Sequence, residues 1–325
     1  MKISIVTPCY NAEQFIANTI ESIIFQKGDF EIEYIIIDGS SKDRTIEIAE
    51  QYQKKINKKE TPYYCKNASI KLVSEKDKGM YDALVKGFKM ATGEVIAYLN
   101  ADDFYKQNAF SVIYDLFKNL PNLMWLTGIP TFYNENGIII ECDWPFIYDN
   151  DFIRKGLYNN KALPYLQQES IFFRTPTLDC IDFDQLKKIN YAGDYYLWTG
   201  FSKKYPLFII SAILSGYRMH SKNLMLSYGN SYNEEMKSIQ DKPILSENEY
   251  DYLLFLHYTW WRESKLAKET NNNRYIIWNT TKRHWKTDHL VYSIDYKIQK
   301  LSSYIEFMSG KPSDYAKEYA IKYLL

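Results

Sequence analysis

Short apolar runs alternate with longer amphipathic stretches over the first 120 residues of the chain. The apolar runs cover residues 3–7, 33–37, 69–73 and 95–99. Each run predicts a β-strand, because short segments rich in β-branched residues favour strands over helices. Apolar stripes at helical spacing predict intervening helices over residues 12–24, 42–55, 80–90 and 108–119. This alternation predicts an α/β fold with a parallel sheet and right-handed crossovers.

The alternation becomes irregular after residue 126. Asn136-Gly137 between apolar flanks predicts a β-hairpin, and Gly193-Asp194 opens a predicted helix. A polar stretch over 221–249 predicts a domain boundary, and apolar residues at helical spacing beyond it predict helices. The expected domains are an α/β domain over 1–222, with halves 1–120 and 121–222, and a mainly helical region over 223–325.

Each of the first four predicted strands ends in, or is followed by, polar residues. They are Thr7, Asp38, Asp77, Asp102 and Asp103. The carboxyl ends of parallel strands share one edge of a sheet, and ligands bind at that edge. Carboxylates there suit Mg²⁺ or Mn²⁺ holding a diphosphate, although Asp is also a common helix N-cap. Neither a G-x-G-x-x-G turn nor a phosphate-loop lysine motif is present, which argues against an ordinary dinucleotide-binding domain.

Charge and cysteine content narrow the class of protein. Forty basic residues balance forty acidic ones, so no nucleic-acid partner is expected from bulk charge. The four cysteines are scattered, which favours reduced thiols in the cytoplasm over a cysteine metal site. No signal peptide or membrane-spanning apolar run is evident. Tryptophan and basic residues interleave over 278–286. This pattern fits aromatic side chains that pack on the rest of this chain or on a second subunit of a homodimer. It also fits contact with an anionic membrane surface.

Four segments together resemble glycosyltransferase family 2. In order they are residues 5–11 (IVTPCYN), 35–45 (IIIDGSSKDRT), 75–83 (EKDKGMYDA) and 100–103 (NADD). Three later segments also resemble that family, namely residues 168–174 (QESIFFR), 193–198 (GDYYLW) and 216–220 (GYRMH). The resemblance covers about residues 1–222 and implies a GT-A fold. Within the family, the chain is similar to bacterial transferases that build O-antigen, capsule and exopolysaccharide.

The resemblance implies a role for each matched residue. The expected nucleotide-binding residues are Thr7, Pro8, Tyr10, Asn11, Asp38, Asp77, Gly79, Tyr81, Lys86, Asn100 and Asp102. A divalent metal is expected on Asp102, Asp103 and His220, with Asp103 in direct contact, and Arg218 and His220 are expected near the diphosphate. Gln168, Glu169 and Trp198 are expected to contact the sugar or the acceptor, and Asp194 to act as the catalytic base.

The implied activity is inverting, metal-dependent transfer of a sugar from a nucleotide-sugar donor. The expected donor is a UDP-sugar, and the expected acceptor is a saccharide or lipid-linked saccharide at the inner face of the cytoplasmic membrane. A sugar nucleotidyltransferase and a catalytically silent scaffold acting through its aromatic tail remain alternatives. Several residues also have plain structural interpretations: Asp194 as a helix cap, Glu169 as an ion-pair partner of Arg174, His220 as an ordinary histidine and Lys86 as a solvated side chain.

Overall fold

A computed structural model provides the structure of the protein. The structure describes residues 1–142, 148, 150–156, 158, 165–221, 223–240, 275–279 and 284–288. The chain divides into two compact units. The first contains Met1–Gly156 and Leu166–Gln240, and the second contains Leu157–Tyr165 and Asp241–Leu325.

Strands and helices alternate through the first half of the first unit, as the apolar pattern predicts. The strands of this unit are β1 Lys2–Cys9, β2 Lys27–Asp38, β3 Tyr64–Ser74, β4 Val95–Tyr98, β5 Phe104–Tyr105, β6 Trp125–Thr127, β7 Thr131–Asn134, β8 Ile139–Cys142, β9 Phe172–Arg174, β10 Leu207–Ile210 and β11 Ser215–Met219. The helices are α1 Ile16–Ile24, α2 Thr45–Asn57, α3 Met80–Met90, α4 Ala109–Asn119, α5 Asn150–Arg154, α6 Phe183–Leu186, α7 Gly193–Ser202 and α8 Leu224–Ile239. Short 3₁₀ turns span Gln168–Ser170 and Thr175–Cys180.

The main sheet of the first unit has the strand order β10-β6-β9-β4-β1-β2-β3. Strands β1 and β2, β2 and β3, and β1 and β4 are parallel pairs, which confirms the predicted parallel sheet. Strand β9 runs antiparallel to both β4 and β6. The register aligns Cys9 with Asp38, and Asp38 with Ser74, at the carboxyl edge of the sheet. The polar strand ends therefore meet at one edge, as expected.

A smaller sheet with the order β5-β11-β7-β8 lies in the same unit. Strands β7 and β8 form the predicted antiparallel hairpin. Gly137 in its turn has a φ of +79°, a left-handed conformation that glycine adopts without steric cost. Strand β11 pairs with β5 just after Asp103, which brings residues 215–219 beside the acidic pair. The small sheet thus delivers Arg218 and His220 to the edge of the main sheet.

The core of the first unit is apolar and largely aromatic. Helix α1 buries one stripe, Ile16, Thr19, Ile20, Ile23 and Ile24, against the strands. Such burial is the main favourable term in folding, at roughly 25 cal/mol per Å² of apolar surface. Trp198 is also part of this core, because its ring stacks between those of Tyr98 and Trp125. The sheet edge that carries the polar residues is therefore supported by a closely packed core.

Helix α8 belongs to the first unit, although the predicted boundary fell after residue 222. The sequence over 224–239 is polar, and this composition concealed a helix that packs through Tyr232 and Met236, both of which are buried. The α/β unit therefore continues to Gln240. This difference places α8 within reach of the predicted active-site residues.

The described part of the second unit includes a β-hairpin. Strands β12, Tyr275–Asn279, and β13, His284–Asp288, are antiparallel and align Trp278 with Trp285. The prediction of a mainly helical tail is therefore wrong for these ten residues, whose isoleucine, threonine, tyrosine and tryptophan content favours strands. The predicted helices near 253–265 and 294–305 lie outside the described residues. Among the residues that the structure describes, no helix is both long and apolar enough to cross a membrane.

Candidate active site

A cleft of about 1050 Å³ opens at the carboxyl edge of the main sheet. It is lined by most of the residues that the sequence singled out. These are Pro8, Tyr10, Asn11, Asp77, Gly79, Tyr81, Asn100, Asp102, Gln168, Glu169, Asp194 and His220. They come from both predicted halves of the α/β domain, so the fold gathers in one place residues that are up to 212 positions apart (220 − 8). A cleft of this size is at the upper end of the range of small-molecule sites.

The remaining six predicted site residues do not line the cleft. These are Thr7, Asp38, Lys86, Asp103, Trp198 and Arg218. Asp38 is fully buried and accepts hydrogen bonds from the Ser41 backbone N–H at 3.0 Å and the Ser74 hydroxyl at 2.8 Å. These hydrogen bonds hold the loop after β2 in place. Lys86 lies on α3 and pairs with Glu75 at 2.8 Å and with Asp82 at 3.6 Å. The predicted contacts of these six residues with a ligand remain predictions.

The two adjacent aspartates occupy opposite environments. Asp103 is 1% exposed, and its carboxylate accepts a hydrogen bond from the Arg218 backbone N–H at 2.8 Å. Burial, with the nearby charges of Asp102 and Glu169, raises the pKa of Asp103 well above its usual value. The Asp102 side chain is 30% exposed and lies on the cleft wall. The structure therefore places Asp102 on the cleft wall and Asp103 beneath the surface, whereas the sequence analysis expected Asp103 to make the direct metal contact.

Arg218 supports the acidic pair from behind. Its guanidinium donates hydrogen bonds to the Asp102 carbonyl at 2.7 Å and to the Glu135 carbonyl at 3.0 Å. It also lies over the rings of Phe15 and Phe104, each 4.9 Å from the guanidinium carbon. The expectation was that Arg218 faces the diphosphate. In the structure the guanidinium N–H groups instead donate to groups of the protein itself, because β11 runs beside the Asp102 backbone.

Asp102 and His220 form a candidate metal site on the cleft wall. Asp102 Oδ2 and His220 Nε2 lie 2.9 Å apart, and the Asn223 amide nitrogen is 3.2 Å from the same ring nitrogen. A carboxylate oxygen and an imidazole nitrogen are a donor pair that suits Mn²⁺. The described residues contain no cluster of three or more His, Cys, Asp or Glu side chains arranged to hold a metal. A cation here would need further ligands from a bound diphosphate and water, as is usual for Mg²⁺ and Mn²⁺ sites that act on phosphates.

Asp194 lies in the first turn of α7 and faces the same cleft. Its carboxylate accepts hydrogen bonds from the Tyr195 backbone N–H at 2.7 Å and from the Tyr232 hydroxyl at 3.2 Å. Burial raises the pKa of Asp194 to about 6. A carboxylate with this pKa is mostly ionised at neutral pH and is a stronger base than an exposed aspartate, which suits it to accept a proton from a hydroxyl group.

Gly193 permits the close approach of Tyr81 to the start of α7. A Cβ atom added at position 193 would lie 2.4 Å from Cδ1 of the Tyr81 ring. Tyr81 needs this position because its hydroxyl donates to the Tyr191 carbonyl at 2.9 Å and accepts from the Asp194 backbone N–H at 3.3 Å. The absence of a side chain before Asp194 is thus explained by the tyrosine ring that fills the space.

We expect Gly193→Ala to reduce both stability and turnover. The methyl group would force the buried Tyr81 ring or the start of α7 to move, at a cost of about 1–3 kcal/mol. Thermal unfolding followed by circular dichroism, beside a turnover assay, measures both effects. Gly137→Ala is the matched control. It changes the turn of the β7–β8 hairpin, so it is expected to affect stability and not turnover. A Gly193→Ala protein that is as stable and active as the unmodified chain would contradict this steric role.

Gln168 and Glu169 complete the cleft floor. The Gln168 amide donates to the Tyr98 carbonyl at 2.6 Å, which ties the 3₁₀ turn to the end of β4. Burial and the charges of Asp102 and Asp194 raise the pKa of Glu169. Arg174 instead donates to the Leu123 carbonyl at 2.9 Å, so the alternative of a Glu169–Arg174 ion pair is wrong.

Several residues of this site were missed by the sequence analysis. The cleft is also lined by Cys9, Asn190, Tyr191, Asn223, Tyr228 and Tyr232. A usable signal was present for α8, since Tyr228, Tyr232 and Met236 recur every four residues within the polar stretch. Asn223 carries no such signal, and only the structure shows its amide beside Asp102 and His220.

Comparison with known proteins agrees with the resemblance. The family model described as glycosyl transferase family 2 matches residues 4–189. A glycosyltransferase of Mycoplasma genitalium is 31% identical over 146 residues, which are 41% of this chain and 46% of that protein. The poly-beta-1,6-N-acetyl-D-glucosamine synthase of Staphylococcus epidermidis is 30% identical over 138 residues, which are 42% of this chain and 30% of the synthase. The aligned part of the chain thus spans less than half the length of these relatives.

A solved structure shows the same fold. S. aureus TarS 1-349 in complex with UDP-GlcNAc superposes with a TM-score of 0.51 at 16% identity, covering 95% of this chain and 82% of that one. At this identity the likeness concerns the fold, which is the predicted GT-A arrangement. Because the family model spans more than half of the sequence and the cleft lies where its motifs meet, the chain belongs to glycosyltransferase family 2.

Proposed function

We propose that this protein transfers a sugar from a UDP-sugar to a saccharide acceptor during synthesis of a cell-surface polysaccharide. The observation that carries the proposal is the pairing, within one cleft, of a candidate cation site and a buried carboxylate. Asp102 and His220 form the first, and Asp194 is the second. A nucleotide-sugar transferase needs both, because it must neutralise a leaving diphosphate and activate a hydroxyl nucleophile.

The residues on the cleft wall fit a divalent metal. Asp102 and His220 would hold it in place of their direct contact at 2.9 Å. When bound, Mg²⁺ or Mn²⁺ would supply positive charge to the departing diphosphate. The chain's own part is to hold the two ligands in position, and Arg218 does so through its hydrogen bond to the Asp102 carbonyl.

Asp194 is proposed as the base that removes the proton of the acceptor hydroxyl. Its carboxylate is held between α7 and Tyr232 and opens into the cleft. Attack from the side opposite the leaving nucleotide would invert the anomeric centre. The inverting outcome, which the family resemblance implied, is part of this proposal.

The nucleotide is proposed to lie near the loop after β1. Tyr10 is 61% exposed at the cleft rim, and the Asn11 carboxamide oxygen accepts from the Lys42 backbone N–H at 2.8 Å. This contact joins the loops after β1 and β2 into one surface, with Asp77 and Gly79 nearby on the cleft wall. An exposed aromatic ring beside carboxylate and amide groups suits a base and a ribose.

The relatives suggest the first donor to test. TarS was solved with UDP-GlcNAc, and the staphylococcal relative is named as a synthase of poly-N-acetylglucosamine. We therefore propose a UDP-linked hexose or N-acetylhexosamine as donor. Roles in O-antigen or capsule synthesis, a lipid-linked acceptor, peripheral membrane contact and a homodimer remain predictions from the sequence.

The experiment is an assay for UDP release from a panel of UDP-sugars, with Mn²⁺, with Mg²⁺ and with EDTA. Short N-acetylglucosamine oligosaccharides serve as trial acceptors, and product masses identify a transferred sugar. We expect metal-dependent transfer from at least one donor. Pyrophosphate release from UTP and a sugar phosphate would instead support the nucleotidyltransferase alternative. A folded protein that neither binds UDP with metal nor turns over any donor would refute the proposed function.

The rate of transfer is expected to fall as the pH is lowered through about 6. Asp194 must be ionised to accept a proton, and burial raises its pKa to about 6. Below that value the active fraction drops about tenfold for each pH unit. A profile of kcat between pH 4.5 and 8.5 measures this limb, with circular dichroism at each pH as the control for unfolding. A kcat that stays flat down to pH 4.5 would contradict the assignment.

A further inference from the structure

Helix α8 contacts the start of α7 through two side chains on one face. Tyr232 and Glu235 are three residues apart, a spacing that places both on the same side of a helix. Both residues lie beyond position 189, where the match to the family model ends. The contacts that they make are directed at the residues around Asp194.

Glu235 binds the loop that leads into α7. Its carboxylate accepts hydrogen bonds from three consecutive backbone N–H groups, those of Asn190 at 2.8 Å, Tyr191 at 2.6 Å and Ala192 at 2.8 Å. The N–H groups before and within the first turn of a helix have no partner inside the helix. A carboxylate at this end also interacts favourably with the helix dipole. Glu235 thus fixes the position of the helix that carries Asp194.

Tyr232 acts on Asp194 itself. Its side chain is 7% exposed, and its hydroxyl donates to Asp194 Oδ1 at 3.2 Å. Tyr81 approaches from α3 on the other side, and its hydroxyl accepts from the Asp194 backbone N–H at 3.3 Å. Two tyrosines from distant parts of the chain therefore hold the same residue, one through the carboxylate and one through the backbone.

We propose that α8 is a positioning element of the active site, in which Tyr232 orients the Asp194 carboxylate and Glu235 fixes the loop before α7. The proposal rests on the proposed function, in which Asp194 is the base. Neither residue is assigned to touch the substrate. Their role is to keep the reactive oxygen of Asp194 directed into the cleft, which a base needs because proton transfer requires hydrogen-bond geometry.

The two side chains act on the Asp194 carboxylate with opposite sign. The Tyr232 hydroxyl stabilises the ionised form, whereas the negative charge of Glu235 disfavours it. Among the described residues, the titratable groups near Asp194 also include Tyr81 on α3, Tyr98 on β4 and Glu169 in the 3₁₀ turn. These three are unchanged in variants of α8, so the effects of Tyr232 and Glu235 can be separated from theirs.

The experiment is a carboxyl titration by NMR of the full chain labelled with ¹³C at aspartate Cγ. The Asp194 signal is identified by its absence in Asp194→Asn. Tyr232→Phe removes only a hydroxyl, and Glu235→Gln removes a charge at nearly constant volume. Glu234→Gln is the matched control, because Glu234 is the exposed neighbour on the same helix. Circular dichroism establishes that each variant is folded.

We expect the titration midpoint of the Asp194 carboxyl to rise by about one pH unit in Tyr232→Phe and to fall in Glu235→Gln. In Glu234→Gln this midpoint should stay unchanged. In the turnover assay Tyr232→Phe should lower kcat about tenfold and leave KM for the UDP-sugar unchanged. Midpoints that stay in place, or that move in the same direction in both variants, would overturn the proposal. If Glu235→Gln does not fold, the Tyr232→Phe midpoint alone decides.

The titration separates this proposal from the proposed function, because it needs no substrate. An inactive unmodified chain with the expected midpoints would refute the proposed function and leave the contacts to Asp194 established. An active chain with unmoved midpoints would retain the function and refute the role of α8.

Discussion

Asp194→Asn is expected to lower the rate of sugar transfer by about 10²–10⁴-fold, the range that general-base catalysis contributes. Asparagine keeps the shape of the side chain and an oxygen that accepts from the Tyr195 N–H and the Tyr232 hydroxyl. It removes the carboxylate that, in the proposed function, accepts the proton of the acceptor hydroxyl. The loss should therefore appear in kcat, while UDP binds as it does to the unmodified protein.

The measurement is kcat and KM for the donor found in the UDP-sugar panel, with UDP affinity determined by calorimetry. Asp184→Asn is the matched control, since Asp184 is a largely exposed aspartate on α6 whose partner is Lys187. Full turnover in Asp194→Asn would remove this residue from the reaction. An equal loss in Asp184→Asn would show that the assay reports a general effect of the substitution.

The second large effect is expected from a matched pair of substitutions, Asp102→Asn and Asp103→Asn. In Asp102→Asn the cleft loses the carboxylate beside His220, and metal-dependent UDP affinity should fall about 100-fold. In Asp103→Asn the buried side chain keeps an oxygen for the Arg218 N–H, so UDP affinity should stay within a fewfold of its original value. Burial supports this contrast, because Asp103 is 1% exposed and does not line the cleft.

Calorimetric titration of UDP with and without Mn²⁺ measures both variants, and thermal unfolding tests their folding. The opposite result, with binding lost in Asp103→Asn and kept in Asp102→Asn, would support the expectation from the sequence that Asp103 touches the metal. Equal affinities in the unmodified chain with and without Mn²⁺ would instead exclude a metal-dependent nucleotide site in this cleft.

The local pattern of the chain determined much of the fold. Runs of strand length and helical stripes predicted the alternating elements of the first 120 residues, and the parallel sheet followed from their order. The polar strand ends then predicted the position of the cleft, because parallel strands end at a common edge. Twelve of the eighteen predicted site residues line this cleft. Local composition was sufficient here, since burial and periodicity are properties of neighbouring residues.

Side-chain direction was decided by the tertiary structure. Sequence order places Asp102 beside Asp103, yet one lies on the cleft wall and the other is buried against β11. Arg218 was expected at the diphosphate, but its guanidinium is taken up by carbonyl groups that the fold brings to it. Hydrogen bonds between residues more than 80 positions apart leave no local pattern in the sequence, so only the packed structure specifies them.

Helix α8 and the hairpin of β12 and β13 also differ from what the local sequence predicted. The sequence of α8 is polar, and its role depends on two side chains that meet the start of α7. The hairpin residues were assigned to a helical tail because a few basic and aromatic positions do not distinguish a helix from a strand. By itself, the sequence determined the fold class, the family and the edge of the sheet that holds the site, because these follow from local periodicity and ordered motifs. The tertiary structure alone decided which carboxylate faces the cleft and which helix contacts Asp194, because these depend on contacts between distant segments.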